Sequence, residues 1–457
     1  MTSAETPPTP SVTSSDASKP TWREAFAVYL QPRVLIVLFL GFSSGLPLAL
    51  SGSTLLVWMR ESGVDLGTIG LFALVGTPYT LKFIWAPLVD ALHVPVLSRL
   101  FGRRRGWLVA TQLLLIAAIL LLALTDPAHA PVFVALGALL VAAASATQDI
   151  VVDAFRVESL PENEQAAGMA SYVAAYRIGM LISTAGVLFL VSAYEGTGVT
   201  RATAWMWGYV TMAAMVLIGT ITALLATEPE ASVRAEAATS ADSAFTRVMR
   251  AAVGAFSEFL GRKDALAALA FVVLFKFTDA FSGTMTAPFV IDLGFTRNDY
   301  AAIVKGVGLA ATLIGGFAGG YLARRYSLVT SLWIGAVLQA VSNLAFAWLS
   351  TVGVNQWALA LAISVENFTG AIGTVIFVAY LSALCQNPLH TATQYALLTA
   401  LSAVGRTYLS AGAGYVAQAT GWPLFFMISV AVAAPSLVLL AWLQRRGHFA
   451  ALGPVRV

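Results

Sequence analysis

The stretch Pro131-Val-Phe-Val-Ala-Leu-Gly-Ala-Leu-Leu-Val-Ala-Ala-Ala-Ser-Ala-Thr147 runs directly into Gln148-Asp149-Ile150-Val151-Val152-Asp153-Ala154-Phe155-Arg156. Its first part is almost wholly Ala, Leu and Val and supplies most of a membrane span. At the inner end of that span stand two carboxylates. A charge in hydrocarbon is costly unless it is paired, hydrated or protonated, so such acids need an explanation. Asp149 and Asp153 are four residues apart and fall on one helical face, with Gln148 beside them. Beside a water-filled path, acids so placed are candidate proton carriers, because desolvation favours the neutral form of a carboxyl. The alternative is structural: Asp153, nearer the exit, caps the helix end or pairs with Arg156.

Working outward, composition places the whole chain in lipid. Of 457 residues, 58% are hydrophobic and only 11% charged, with a mean hydropathy of +0.80. A soluble domain carries about 25% charged residues. The net charge of +3 is small and gives no reason to expect nucleic acid. A single cysteine, Cys385, excludes an internal disulfide and a cysteine-built metal site. His93, His129, His390 and His448 have no metal-ligand spacing. No glycine-rich phosphate loop ending in Lys-Ser/Thr exists, which excludes ATP-driven transport within this chain. Neither a nucleophile–base pair nor a metal cluster stands out, so an enzyme has no visible machinery.

Residues 1–33 are expected to be a disordered tail, rich in Ser, Thr and Pro, followed by a short interfacial helix carrying Trp22, Phe26 and Tyr29. The first apolar run starts too late and is too long for a secretory signal. Runs of spanning length then follow at Val34–Met59, Thr68–Leu92, Trp107–Leu124, Pro131–Val152, Ala166–Ala193 and Ala202–Ala226. A second set occupies Ala265–Ile291, Tyr300–Leu322, Leu328–Ser350, Trp357–Leu384, Tyr395–Ala417 and Trp422–Leu443. The chain thus divides into a half at 34–226, a linker at 227–264, a half at 265–443 and a tail at 444–457. In the linker, Phe245, Val248, Met249, Ala252, Val253, Phe256 and Phe259 recur at helical spacing and predict an amphipathic helix at the inner face. Arginine sorts by side. With the N-terminus inside, Arg99, Arg103, Arg104, Arg105, Arg156, Arg324, Arg325, Arg445 and Arg446 face the cytoplasm, against Arg60, Arg201 and Arg297 outside. Both termini are therefore expected in the cytoplasm.

The halves read as relatives. Gly63-Val-Asp-Leu-Gly-Thr-Ile matches Gly294-Phe-Thr-Arg-Asn-Asp-Tyr, Asp153-Ala-Phe matches Val378-Ala-Tyr, and Tyr176-Arg177 matches Gly405-Arg406. The near-constant offset argues duplication. Two six-span halves related by an axis along the membrane normal are the major facilitator architecture, an all-α membrane fold of twelve helices that binds substrate between its halves.

Several stretches carry a closer resemblance. Gly41-Phe-Ser-Ser-Gly-Leu-Pro-Leu-Ala-Leu50, Thr68-Ile-Gly-Leu-Phe-Ala-Leu-Val-Gly-Thr-Pro-Tyr-Thr-Leu-Lys-Phe-Ile-Trp-Ala-Pro-Leu-Val-Asp90 and Gly102-Arg-Arg-Arg-Gly-Trp107 resemble the AmpG family of muropeptide permeases. So do Gln148–Arg156 and Tyr176-Arg-Ile-Gly-Met-Leu181. The resemblance covers nearly all of the first half, and the second half follows mainly in pattern. It implies proton-driven import of anhydro-muropeptides, sugar–peptide fragments of the cell wall, across a bacterial inner membrane, by a monomer needing no cofactor beyond the coupling proton. Asp90 with Gly102-Arg103-Arg104 is also similar to the superfamily's loop signature and implies a gating role for Asp90, Arg103 and Arg104. This chain departs from that signature by an insertion, His93 to Phe101, and by Pro87 near the usual first glycine.

The remaining intramembrane polar residues can be read without that resemblance. Lys82 stands between Tyr79 and Trp85 at helical spacing, and Arg177 lies behind Tyr172 and Tyr176. Lys276, Lys305, Arg406 and the Glu366-Asn367 pair fall inside spans of the second half. Cations facing a cavity hold carboxylates, Arg in bidentate fashion, and aromatic faces stack on sugar rings. The expected substrate-binding set is Tyr79, Lys82, Trp85, Gln148, Tyr176, Arg177, Lys276, Lys305, Asn367 and Arg406. Asp149, Asp153 and Glu366 are the proton-coupling set. The competing possibility is mutual pairing within the bundle, Lys276 with Asp279 above all. A carrier of another sugar, peptide or acyl-CoA-like anion would use the same charges. Gly41-x-x-x-Gly45, Gly315-x-x-x-Gly319 and Gly316-x-x-x-Gly320 predict close helix packing.

Overall fold

The computed structural model describes residues 27–161, 164–229, 260–385 and 391–452. The expected N-terminal disordered segment and the amphipathic helix of the linker lie outside the described residues. Among the described residues, eleven helical stretches are long and apolar enough to cross a membrane: α1 Pro32–Glu61, α2 Leu66–Ile84, α3 Arg103–Ala123, α4 Pro131–Ser159, α5 Ala167–Gly196, α6 Arg201–Leu225, α7 Ala265–Asp292, α8 Arg297–Arg325, α9 Leu328–Val352, α10 Gln356–Leu384 and α12 Trp422–Arg445. Between the last two, residues 391–420 form α11, an interrupted helix that completes the twelve. The fold is the all-helical one expected.

Local signals explain the helix ends. α1 and α4 begin with Pro32 and Pro131, whose fixed φ suits a first helical turn. Asp65 caps α2 by accepting the Thr68 N–H at 2.9 Å, and the Thr68 hydroxyl holds its carboxyl below the usual range. Thr296 caps α8 in a reciprocal box with Asp299. Duplication is visible here. Gly63 after α1 and Gly294 after α7 have φ of 83° and 96°. Each ends its helix with the next residue's N–H reaching back, Val64 to Met59 and Phe295 to Val290. Two residues on, each turn supplies the next helix's cap.

In lipid, helices associate by close packing rather than by fleeing water. A Cβ on Gly41 or Gly45 would collide with the carbonyl oxygens of Tyr172 and Tyr176, so α1 lies directly on α5. Gly315 and Gly319 likewise meet Phe368 and Ile372 of α10. Gly316 and Gly320 face open space and join no helix pair.

The distribution of the core sets the shape. At the end remote from both termini, one continuous core includes Leu50, Trp58, Trp205, Phe289 and Phe426 and so draws on both halves. Toward the termini it divides, into Phe271, Phe275, Ile376 and Tyr380 in the second half and Val89, Val109, Val151 and Phe155 in the first. The halves are therefore joined at the distal end and separate toward the termini.

Candidate functional site

Most helices that face the centre are irregular where they do so; α10, which brings Glu366 and Asn367 there, is unbroken. α1 breaks at Ser51-Gly52, four residues past Pro47, whose missing N–H weakens the preceding turn. α7 breaks at the related place, Thr284-Met285. α5, α8 and α11 carry π-turns at Ile182–Gly186, Tyr300–Val307 and Gly405–Leu409. Such widened turns favour functional sites, since they re-aim side chains. Here they line a cavity of about 600 Å³ between the halves, with Ser51, Gly52, Thr184, Thr284, Tyr300, Lys305 and Arg406 on its wall.

The wall is mostly apolar with a few charges. Arg177 of α5 and Arg406 of α11 reach it from related positions in the two halves. The Lys305 ammonium donates to the Ser53 hydroxyl of the opposite half at 3.3 Å and lies 5.4 Å from the centre of the Tyr300 ring. Glu366 accepts from the Asn367 amide at 2.7 Å, and Asn367 accepts from Thr312 at 3.1 Å. Thr80 and Thr407 meet at 3.1 Å across the halves. Three cations and one acid favour an anionic ligand, and the two guanidiniums suit carboxylates.

Tyr79, Arg177, Lys305, Glu366, Asn367 and Arg406 thus stand together on the cavity wall. The other expected site residues stand elsewhere. Lys82 faces Asp149 of α4 at 3.8 Å. Trp85 donates to Thr147 at 3.1 Å, and Gln148, fully buried, donates to Ser44 at 3.1 Å. The Tyr176 ring packs 6.0 Å from that of Tyr172. Lys276 pairs with Asp279 at 3.5 Å and donates to Thr374 at 2.9 Å, the local pairing weighed above. Asp153 is half-exposed and lies 3.6 Å from Arg156, as its structural alternative required.

At the terminus side, Arg104 is buried and holds Glu158 of α4 through two bonds, 2.6 and 3.0 Å. The Glu228 carboxylate accepts the Arg104 and Arg105 backbone N–H groups at 2.8 and 3.0 Å, which ties the start of the linker to the positive end of α3. The Asp90 side chain lies outside the described residues, so its expected contact with Arg103 and Arg104 is not part of this geometry.

At the distal end an ion cluster joins the halves. Arg297 of α8, 6% exposed, binds Glu61 of α1 at 3.0 Å and Glu195 of α5 at 2.9 Å, and its guanidinium lies 5.2 Å from the Trp205 ring centre. Arg60 pairs with Asp292 of α7, which also accepts from Trp422 at 3.2 Å. Sequence reasoning used Arg60 and Arg297 only for topology and passed over Glu61, Glu195 and Asp292. The available signal was their placement: each acid ends a span on the side where basic residues are few.

Residues 37–408 match the family model of the Major Facilitator Superfamily. The anhydromuropeptide permease of Escherichia coli (strain K12) is 41% identical over 414 residues, covering 90% of this chain and 80% of that protein. A POT family transporter crystallised with a thioalcohol conjugated peptide has a TM-score of 0.66 at 12% identity, over 90% of this chain and 96% of that one. A D-xylose-proton symporter has a TM-score of 0.61 at 13% identity, over 90% and 97%. At such identities the two solved structures establish the fold alone. Relatives and fold are those of transporters, not enzymes. The helical bundle, its central cavity and the extent of these matches together place the chain in the major facilitator superfamily, in the family of the Escherichia coli anhydromuropeptide permease.

Proposed function

We propose that this protein imports anhydro-muropeptides across the bacterial inner membrane, driven by the proton gradient, through alternating access of one central site. The observation that carries this is the cavity wall, where Arg177 and Arg406 converge from related positions and Lys305 stands between the halves. That wall suits a ligand with carboxylates to neutralise and apolar surface to cover. The kinship with the permease narrows the ligand to wall fragments of sugar and short peptide. With both termini in the cytoplasm, the ion cluster closes the periplasmic end and the cavity opens inward. Asp149 takes the proton and Arg177, Arg406 and Lys305 take the substrate; Glu366 is the next acid to test.

The test is uptake in proteoliposomes or spheroplasts. Labelled anhydro-muropeptide should accumulate under an inward proton gradient, stop doing so with an uncoupler, and be competed poorly by simple sugars, dipeptides or acyl-CoA. Equal transport of any of those would shift the assignment to another carrier class. Labelling of an Arg103→Cys variant from the outside would overturn the orientation.

A further inference from the structure

Lys82 and Asp149 face each other behind the cavity wall, ammonium to Oδ2 at 3.8 Å, from α2 to α4. Asp149 is the more enclosed of the two, with 12% of its side chain exposed against 36% for Lys82. Its second oxygen, Oδ1, is buried with no hydrogen-bond partner among the described residues. The groups that face the carboxyl are Lys82 and Tyr79 from α2, Ser44 from α1, Asp153 from its own helix, and Tyr172 and Tyr176 from α5. Lys82 is the one cation among these. The charge on Asp149 is therefore balanced by a single ammonium on a flexible four-carbon stem. That stem is rooted three residues from Tyr79, which lines the cavity.

We propose that Lys82 is a shared counter-ion: it neutralises Asp149 while that acid is ionised, and turns to a carboxylate of the substrate once Asp149 takes a proton. This rests on the assignment of proton transfer to Asp149. The step is one proton added to a carboxylate oxygen and one ammonium released, and no other bond forms or breaks. An ionised Asp149 withholds Lys82 from the cavity; a protonated one frees it. Proton and substrate binding then favour each other, and by linkage each raises the other's affinity by the same factor. A substrate without a carboxylate gains nothing from the proton.

The experiment measures equilibrium binding to the full-length protein in nanodiscs from about pH 6 to 8, where substrate carboxylates stay ionised. The ligands are an anhydro-muropeptide with free carboxylates and its fully amidated form. In the parent, affinity for the free acid should rise as pH falls, by up to about tenfold per pH unit for one linked proton. Affinity for the amidated form should be flat. Asp149→Asn should bind the free acid tightly at every pH, and Lys82→Met weakly at every pH. Unchanged affinity of Lys82→Met for the amidated form shows that its site is folded, and Lys82→Arg should recover the slope. If Lys82→Met keeps the parent's slope while Asp149→Asn loses it, the shared counter-ion is wrong and Asp149 remains the proton site. If Asp149→Asn keeps the slope, both fail together.

Discussion

Arg177 and Arg406 show what a single residue contributes here. Each is carried by an irregular or tightly packed helix to the wall of the central cavity and is exposed there, so each guanidinium is open to a ligand. Losing a charge-assisted hydrogen bond costs about 1.5–3 kcal/mol, or roughly ten- to hundredfold in affinity. Arg177→Met and Arg406→Met should therefore weaken uptake of free-acid muropeptide by that factor without lowering the amount of folded protein. Measured with the amidated ligand, the same variants should lose little. Equal losses for both ligands would mean that the two arginines hold the bundle rather than the substrate. Their presence in the site was legible from sequence, since a mid-span Arg without an acid one turn away needs a partner elsewhere. The role of Lys82 was not legible in the same way. It also lacks an acid on its own helix, yet its partner Asp149 lies 67 positions away on α4, and only the fold brings them to 3.8 Å. Sequence spacing sees neighbours along one helix; it is blind to neighbours across two.

Among elements, the pair α2 and α11 carries the closest meeting of the halves. A Cβ on Gly414 would sit 1.8 Å from the Leu66 carbonyl oxygen, and one on Gly70 would sit 2.8 Å from the Gly414 nitrogen. The Gly67 N–H donates to Gln418 across the same contact at 3.2 Å. In the proposed alternating-access cycle this backbone-to-backbone approach belongs to the state with the distal end closed. Gly414→Val should thus disfavour that state specifically, with overpacking worth about 1–3 kcal/mol. Spin labels at Thr197 and Val354, on distal turns of opposite halves, should report a smaller short-distance population. An unchanged distance distribution would show that the helices yield elsewhere. The glycines legible in sequence were those spaced four apart within a helix, Gly41 with Gly45 and Gly315 with Gly319, because that spacing makes a smooth stripe. Gly414 and Gly70 have no such periodic signature, and their importance follows from two helices crossing. The helices themselves were legible because length and apolarity identify a span directly. α2 and α11 are the exceptions in kind: each was expected as one span and is a chain of short pieces, α and 3₁₀ in α2 and α, π and 3₁₀ in α11.

At the scale of the whole molecule, the distal ion cluster joins the two halves at one end. Arg297 is 6% exposed and shared between Glu61 and Glu195, so removing it leaves the enclosed Glu61 without its guanidinium, while the more exposed Glu195 keeps Arg201. Breaking a buried pair by deleting one partner costs about 3–5 kcal/mol. In the proposed alternating-access cycle that cost falls on the distal-closed state, because opening the end would return Glu61 to water. Arg297→Met should shift the population toward the distal-open state by about a hundredfold or more. The check is a Ser53→Cys label site on the cavity wall in a Cys385→Ser background, probed with a membrane-impermeant thiol reagent from the distal side. Labelling should speed up in Arg297→Met. It should slow again when Glu61→Gln and Glu195→Gln are added, since the neutral amides can be buried at lower cost. Arg60→Met should have a smaller effect, because the Arg60–Asp292 pair is more exposed. If Arg297→Met leaves Ser53→Cys as slowly labelled as the parent does, the halves are held shut by their shared apolar core around Trp58, Trp205 and Phe289, and the ion cluster only trims the edge of that contact.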